Sequence, residues 1–386
     1  MKYSITIYLI LFTVILTNAQ TLNTFYADIV SNTSETNILN DITTYENFGI
    51  KDVGSAQLTN VENWITSRYL SLGYTDIVLQ PFTYSSGSSN NIIVTKTGTL
   101  YPNTFLIIDA HYDSINGTGT NDNGSGTVLL LELARLLKDI ETEYSIKFIH
   151  FSGEEDGLIG SNYYVNNTVI PENMDIKLVF NIDEVGGVSG MTNNTIVCER
   201  DQSTPVSNNA ASNAFTNSLA VLMELYSNLN TEISSAYASD YIPFENNGQI
   251  ITGLFEKNES PYVHTSSDVL TNMDVSYLFE VTKGALGAAM EFAVAYETLS
   301  IDEQENLNNF IRITPNPSNN YLNITFEHPI QQSVNFKLID MLGKQVYENT
   351  LTEQEQTVSI DSIAASQYLA VFKFNNKRFI KTLLIE

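Results

Sequence analysis

The apolar run Thr104-Phe-Leu-Ile-Ile108 ends directly in Asp109-Ala-His-Tyr-Asp-Ser114. A run this short, with β-branched content, reads as a buried strand. A Gly/Asn-rich loop follows, with Asp122 in Asn121-Asp-Asn-Gly-Ser-Gly126. Thr127 to Leu137 is then apolar almost all round, which predicts a buried helix. Strand, polar loop and buried helix open a βαβ unit. In open α/β sheets, ligands bind beyond the carboxyl ends of the strands. A histidine and two aspartates stand at that place here.

The rest of the chain narrows the chemistry. Its 386 residues fit one large domain and a small one, and 43% apolar content suffices for a sizeable core. A formal charge of −26 argues against nucleic acid and anionic membrane surfaces and fits a soluble, exported protein. One cysteine, Cys198, excludes an intrachain disulfide and a cysteine-based zinc site, and reads as a small buried hydrophobe. The four histidines stand at 111, 150, 264 and 328, so any metal site must be mostly carboxylate.

Taken in order, Met1-Lys2, an apolar stretch from Tyr3 to Leu16 and Thr17-Asn18-Ala19 spell a secretory signal peptide cut after Ala19. Residues 20–55 read as a loosely helical lead-in with no assignable chemistry. Ala56 to Leu72 predicts a helix stopped by Gly73. Thr75–Tyr84 and Asn91–Thr97 predict an antiparallel edge pair, with 85–90 as the turn. Further core strands are expected at 145–151, 177–182 and 249–255, and helices at 208–228 and 279–296. The expectation is an α/β fold, a mostly parallel mixed sheet flanked by helices, across residues 20–299. An acidic linker occupies 300–309. From 310 to 386 a turn cluster at Ile313–Ser318 and six short strands predict a small β-sandwich with no clustered ligands; His328 reads as a surface residue.

Each core strand of the large domain ends in similar chemistry. The second leads to Gly153-Glu154-Glu155, the third to Asp183-Glu184, and the fourth through a loop to His264. His111, Asp122, Glu155, Asp183 and His264 therefore converge on one sheet edge. Mixed histidine and carboxylate ligation suits Zn²⁺, with Mn²⁺ or Co²⁺ also compatible. Two metals need a bridging carboxylate, and five residues give three on each side with one shared. Glu154 cannot point at the same metal as its neighbour. It can face the open side and take a proton from metal-activated water, then pass it to a leaving amine. Asp113 is placed to hydrogen-bond the His111 imidazole and fix its tautomer.

Together His111-Tyr-Asp113, Asn121-Asp122-Asn-Gly-Ser-Gly, Ser152-Gly-Glu154-Glu155, Asn181-Ile-Asp183, Ser239-Asp-Tyr-Ile-Pro-Phe244 and Tyr262-Val-His264-Thr resemble the zinc-dependent peptidases of metallopeptidase family 28, over roughly residues 55–298. These include secreted bacterial aminopeptidases. The resemblance implies two zinc ions per chain: His111 and Asp183 on one, Glu155 and His264 on the other, Asp122 bridging, Glu154 the general base. Pro315-Asn-Pro-Ser318, Leu338-Ile-Asp-Met-Leu-Gly343 and the closing Tyr368–Ile385 stretch resemble a type IX secretion sorting domain, with Gln367 where glycine is usual. That implies export through the periplasm to the surface or medium, the secretion machinery as a partner, and removal of the domain afterwards.

The expected function is an exported di-zinc peptidase acting on peptide or protein substrates, an aminopeptidase by the pull of a carboxylate-rich mouth on a free amine. Glutaminyl-peptide cyclotransferase on the same scaffold, with one zinc, and a non-catalytic binding protein are the competing readings. His150, inside a strand, reads as a packed core histidine. Asp240 either orients a site residue or forms its turn, and Tyr241 or Tyr262 either donates to an oxyanion or lines the pocket.

Overall fold

The computed structural model of the chain describes residues 20–236, 238–297, 310–330, 333–374 and 377–386. The expected signal peptide and linker lie outside these residues. The lead-in is more regular than its sequence suggests, with α1 (Thr24–Val30) and α2 (Glu35–Asn47) ahead of α3 (Ala56–Ser71). Each begins at a side-chain cap, Asn23, Ser34 and Ser55, which accepts amide hydrogens left free by the first turn. Tyr26, Ile38, Ile42, Tyr45, Val61, Ile65 and Tyr69 bury the inner faces.

The strands and helices that follow are β1 (Ile77–Tyr84), β2 (Gly87–Lys96), β3 (Tyr101–His111), α4 (Gly124–Leu137), β4 (Glu141–Thr142), β5 (Tyr144–Phe151), α5 (Ile159–Tyr164), α6 (Ile170–Glu172) and β6 (Asp175–Ile182). Then come β7 (Thr195–Arg200), α7 (Asn209–Tyr226), β8 (Asn230–Ser235), α8 (Ile242–Asn246), β9 (Ile251–Glu256), α9 (Val275–Ala293) and β10 (Ala295–Tyr296). Eight strands form one sheet in the order β1-β2-β5-β3-β6-β9-β7-β8, and β4 pairs with β10 apart from it. The centre, β5-β3-β6-β9, is parallel. The β1–β2 hairpin forms one antiparallel edge, as the sequence predicts. Its turn is shorter than expected: Tyr84 pairs with Gly87, so the Ser/Asn stretch 87–90 joins the strand. This stretch pairs with β1 alone, because β5 pairs only with Ile92–Lys96 of β2, so its polar residues lie at the margin of the sheet.

The other edge departs from the sequence reading. β7 lies antiparallel to β9, and β8 runs parallel to β7. Neither strand is expected from the sequence. In β8 the sequence Asn-Thr-Glu-Ile-Ser-Ser carries one apolar side chain, so its pairing comes from a neighbouring strand rather than from its own hydrophobicity. At the centre, α4 buries Val128 to Leu131, Leu133, Ala134 and Leu137 against the sheet. Burial of each leucine contributes about 1.5–3 kcal/mol relative to exposure. Its first turn approaches β6 closely. A Cβ on Gly126 would stand 2.5 Å from Asn123 Oδ1 and 2.6 Å from the Ile182 carbonyl.

The C-terminal region contains β11 (Ile311–Thr314), β12 (Tyr321–Phe326), β13 (Val334–Asp340), β14 (Gln345–Leu351), β15 (Glu355–Ser359), β16 (Ser366–Phe374) and β17 (Lys377–Ile385). They form antiparallel sheets β11-β12-β15 and β14-β13-β16-β17 over a shared core that includes Ile311, Leu322, Ile324, Phe336, Phe372 and Leu383. β11 begins just ahead of the predicted turn cluster and adds a strand to the six expected. This sandwich meets the α/β region where Leu100 packs with Ile339 and Val371. There Arg378 donates to Thr99 Oγ1 at 3.2 Å and lies over the Tyr296 ring, 4.8 Å from its centroid.

Candidate metal centre

The parallel strands deliver their side chains to one edge. His111 is the last residue of β3, Asp122 precedes α4, Glu154 and Glu155 follow β5, Asp183 follows β6, and His264 lies in the loop after β9. Asp122 is the hub of the cluster. Its Oδ1 lies 3.1 Å from His111 Nε2, and its Oδ2 lies 3.0 Å from His264 Nε2. Asp183 Oδ1 stands 3.4 Å from His111 Nε2, and Glu155 Oε2 stands 2.9 Å from His264 Nε2. Two groups result, His111–Asp122–Asp183 and Asp122–Glu155–His264, sharing one carboxylate. The His111 side chain is 1% exposed and that of His264 is 52%, so the cluster runs from the floor of the site to its rim. Glu154 Oε2 lies 4.0 Å from His111 Nε2, on the less buried side of the pair of glutamates.

Electrostatics show what these groups lack. Burial, then the charge of Asp122, pushes the Glu155 carboxyl up to about 10. Burial raises Glu154 to about 8. Burial disfavours a charged His111, but Asp183 and Glu154 outweigh it and hold the imidazole well above its ordinary range. Burial would raise Asp122 too, yet its contacts with His111 and His264 hold it below the usual carboxylate range. Glu155 Oε1 and Asp183 Oδ1 are buried without a hydrogen-bond partner. Four crowded carboxylates with orphaned oxygens and two imidazoles form a site that calls for added positive charge. The donor set suits zinc, whose bonds of about 2.0–2.2 Å separate tetrahedral ligands by roughly 3.3–3.6 Å, close to the spacings here.

Surrounding groups hold the donors in place. The Ser239 hydroxyl donates to Asp183 Oδ2 at 2.6 Å. Asn181 Nδ2 donates to Asp109 Oδ1 at 2.8 Å beneath the cluster. Asp113 behaves differently from expectation. Its carboxylate stands 3.7 Å from His111 Nδ1, beyond hydrogen-bond reach, and the nearer acceptor, at 3.3 Å, is the Asp113 backbone carbonyl. The carboxylate instead accepts the N–H groups of Glu154 and Glu155, each at 3.3 Å. It sets the turn that carries both glutamates.

The remaining singled-out residues are also placed, with Tyr262 half-buried in the His264 loop. His150 is fully buried, with Nε2 2.9 Å from the Tyr69 hydroxyl. Cys198 is buried and His328 exposed. The Tyr241 hydroxyl donates to Glu199 at 3.0 Å, which makes it a buried wall rather than a free donor. Asp240 is fully buried, with no hydrogen bond to either carboxylate oxygen. Two groups escape the sequence reading. Glu184, at φ +45°, is pushed up to about 10 by burial and then by Asp122 and Asp183. Asp268 accepts the N–H groups of Asn121 and Asp122. An acid beside a ligand was the available signal for the first; the second has none, because its contacts span some 150 residues.

An α/β sheet with paired histidine–carboxylate groups at its C-terminal edge has the arrangement of a metal-binding enzyme site. The chain belongs to peptidase family M28, whose profile matches residues 91–289, just over half its length. The profile of the secretion system C-terminal sorting domain matches residues 312–386. Aminopeptidase YwaD of Bacillus subtilis is 31% identical over 201 residues, 49% of this chain and 42% of that protein, so this chain spans less than half of that relative. A crystal structure of Legionella pneumophila LapA aminopeptidase superposes with a TM-score of 0.62 at 21% identity, over 72% of this chain and 78% of that one. Glutaminyl cyclase of Macrostomum lignano superposes with a TM-score of 0.60 at 16% identity, over 70% and 92%. At those identities the likeness is one of fold. No helix among the described residues is long and apolar enough to cross a membrane.

Proposed function

We propose that the chain is an exported aminopeptidase that works with two zinc ions. One would be held by His111 and Asp183, the other by Glu155 and His264, with Asp122 shared. The observation that carries this reading is the Asp122 carboxylate, which offers one oxygen to each histidine at 3.1 and 3.0 Å. Zinc in such a site supplies electrophilic polarisation of a carbonyl and of water, and the countercharge the carboxylates lack.

The protein's own groups do the rest. Glu154 is the less buried acid beside the cluster, which places it to accept a proton from the attacking water and return it to the leaving amine. Asp113 holds the Glu154 and Glu155 amides and so fixes their spacing. The carboxylates of the cluster would attract a free α-amine, which favours action at substrate N-termini. The sorting-domain match supports export to the surface or medium through the secretion machinery.

Elemental analysis of the purified protein, dialysed against zinc, tests the site. Two zinc ions per chain are expected. One would move the glutaminyl cyclase reading ahead, and none would overturn the metal centre. Glu154→Gln is expected to keep its zinc while turnover of aminoacyl amides falls by roughly 10²–10⁴-fold. Retained turnover would remove Glu154 from its role.

A further inference from the structure

Asp122 sits in a loop, 112–123, with no strand or helix of its own to hold it. What holds it comes from two distant parts of the chain. Asp268 is 2% exposed, and its carboxylate accepts the backbone N–H of Asn121 at 2.8 Å and of Asp122 at 3.1 Å. Its backbone carbonyl accepts the Thr118 hydroxyl at 2.5 Å. The lead-in grips the same loop from the other side. Glu46 accepts the Thr120 hydroxyl at 3.0 Å and also the Leu270 N–H, which ties the two grips together. Lys51 is fully buried and donates from Nζ to the Thr118 carbonyl at 2.5 Å and the Gly49 carbonyl at 2.8 Å. Its ammonium lies 3.8 Å from the Tyr45 ring centroid. The Lys51 N–H donates to Ser114 Oγ at 3.1 Å, and the Tyr45 hydroxyl donates to the Tyr112 carbonyl at 3.1 Å.

Hydrogen bonds from a backbone amide to a carboxylate are among the stronger ones, and two on adjacent amides fix both position and orientation. The Asp122 side chain must serve two histidines at once, so a small displacement of its backbone is felt on both sides. We propose that Asp268 is a positioning residue for the Asp122 carboxylate. Residues 45–51 of the lead-in form the other half of the same clamp. The lead-in is thus a working part of the metal centre rather than a detachable leader. This rests on the two-zinc reading above.

The test uses the full chain. Zinc per chain, zinc affinity by competition with a chromogenic chelator, and the visible absorption spectrum of the cobalt-substituted protein are measured for wild type, Asp268→Asn, Asp268→Ala, Glu46→Gln and Lys51→Met. A wild type without metal would fail the underlying reading, independently of the clamp. Given a metal-binding wild type, Asp268→Ala is expected to weaken zinc binding by roughly 10–100-fold and alter the cobalt spectrum. Asp268→Asn, which keeps one acceptor for two N–H groups, falls between, and carries the test if the alanine variant does not fold. Glu46→Gln and Lys51→Met shift affinity in the same direction. A lowered melting temperature with wild-type zinc affinity and cobalt spectrum would overturn the positioning role. Unchanged affinity in both lead-in variants, or active secreted protein whose first residue lies beyond Lys51, would overturn the lead-in half.

Discussion

His150 shows how a single side chain couples the core to pH. Burial alone pulls its imidazole down to about 3. The folded state therefore holds it neutral while the unfolded chain protonates it below its ordinary range. Between about pH 6.5 and 3 the unfolded state binds the extra proton, so stability falls as pH falls, by up to about 1.4 kcal/mol per unit for this group. His150→Gln keeps a polar partner for Tyr69 and removes the titration. Urea unfolding from pH 7 to 5 should give a shallower acid loss in the variant; parallel curves would refute the assignment. Glu154 and Asp268 belong to the same scale. In the proposed mechanism one would face the reacting atoms, and the other would act only through the backbone N–H groups of Asn121 and Asp122.

Among the elements, α4 places the most under constraint. Its first turn follows the Asp122 loop and presses on the end of β6, where Gly126 has no room for a side chain. The extra methyl of Gly126→Ala would need Asn123 and the Ile182 carbonyl to move. That overpacking costs about 1–3 kcal/mol, or a melting-temperature drop of roughly 2–12 °C in a domain of this size. Differential scanning calorimetry measures it, and zinc affinity should fall as well, because Asn123 adjoins Asp122. An alanine variant as stable as wild type would mean that the turn has freedom not visible in its packing. α2 is the quieter counterpart. Its inner face reads as ordinary apolar burial, yet its C-terminal end carries Tyr45 and Glu46 to the loop.

In the whole molecule the two regions meet far from the chemistry. The sandwich seats against Thr99, Leu100 and Tyr296, next to Tyr101 at the start of β3. His111 ends that strand; a bulge between Tyr101 and Phe105 takes up three residues, so the seven steps of the paired strand from Tyr144 to Phe151, at about 3.3 Å each, put roughly 23 Å between seat and site. A chain ending before residue 310 should therefore keep kcat/KM within about twofold. A large change in either direction would mean that the sandwich reaches the site. The shortened chain exposes Leu100, so a greater tendency to self-associate is expected by light scattering.

Local hydrophobicity sets the alternation of apolar runs and helices, and the acids and histidines that end those runs are read directly from the chain. Strand cores such as Thr104–Ile108 are continuous in the chain and dictated by local hydrophobicity, so both the parallel centre and its chemical edge were legible. The edge strand β8 was not, because one isoleucine among polar residues pairs only when a neighbour offers its backbone. The contacts of Asp113 were legible only in part. Its place beside His111 is local, but which hydrogen the carboxylate accepts depends on how a separate turn packs against it. Asp268, Glu46 and Lys51 were silent for the same reason. Their meaning lies in contacts across long stretches of chain, because the distant backbone groups that a buried charge meets depend on how remote segments pack together.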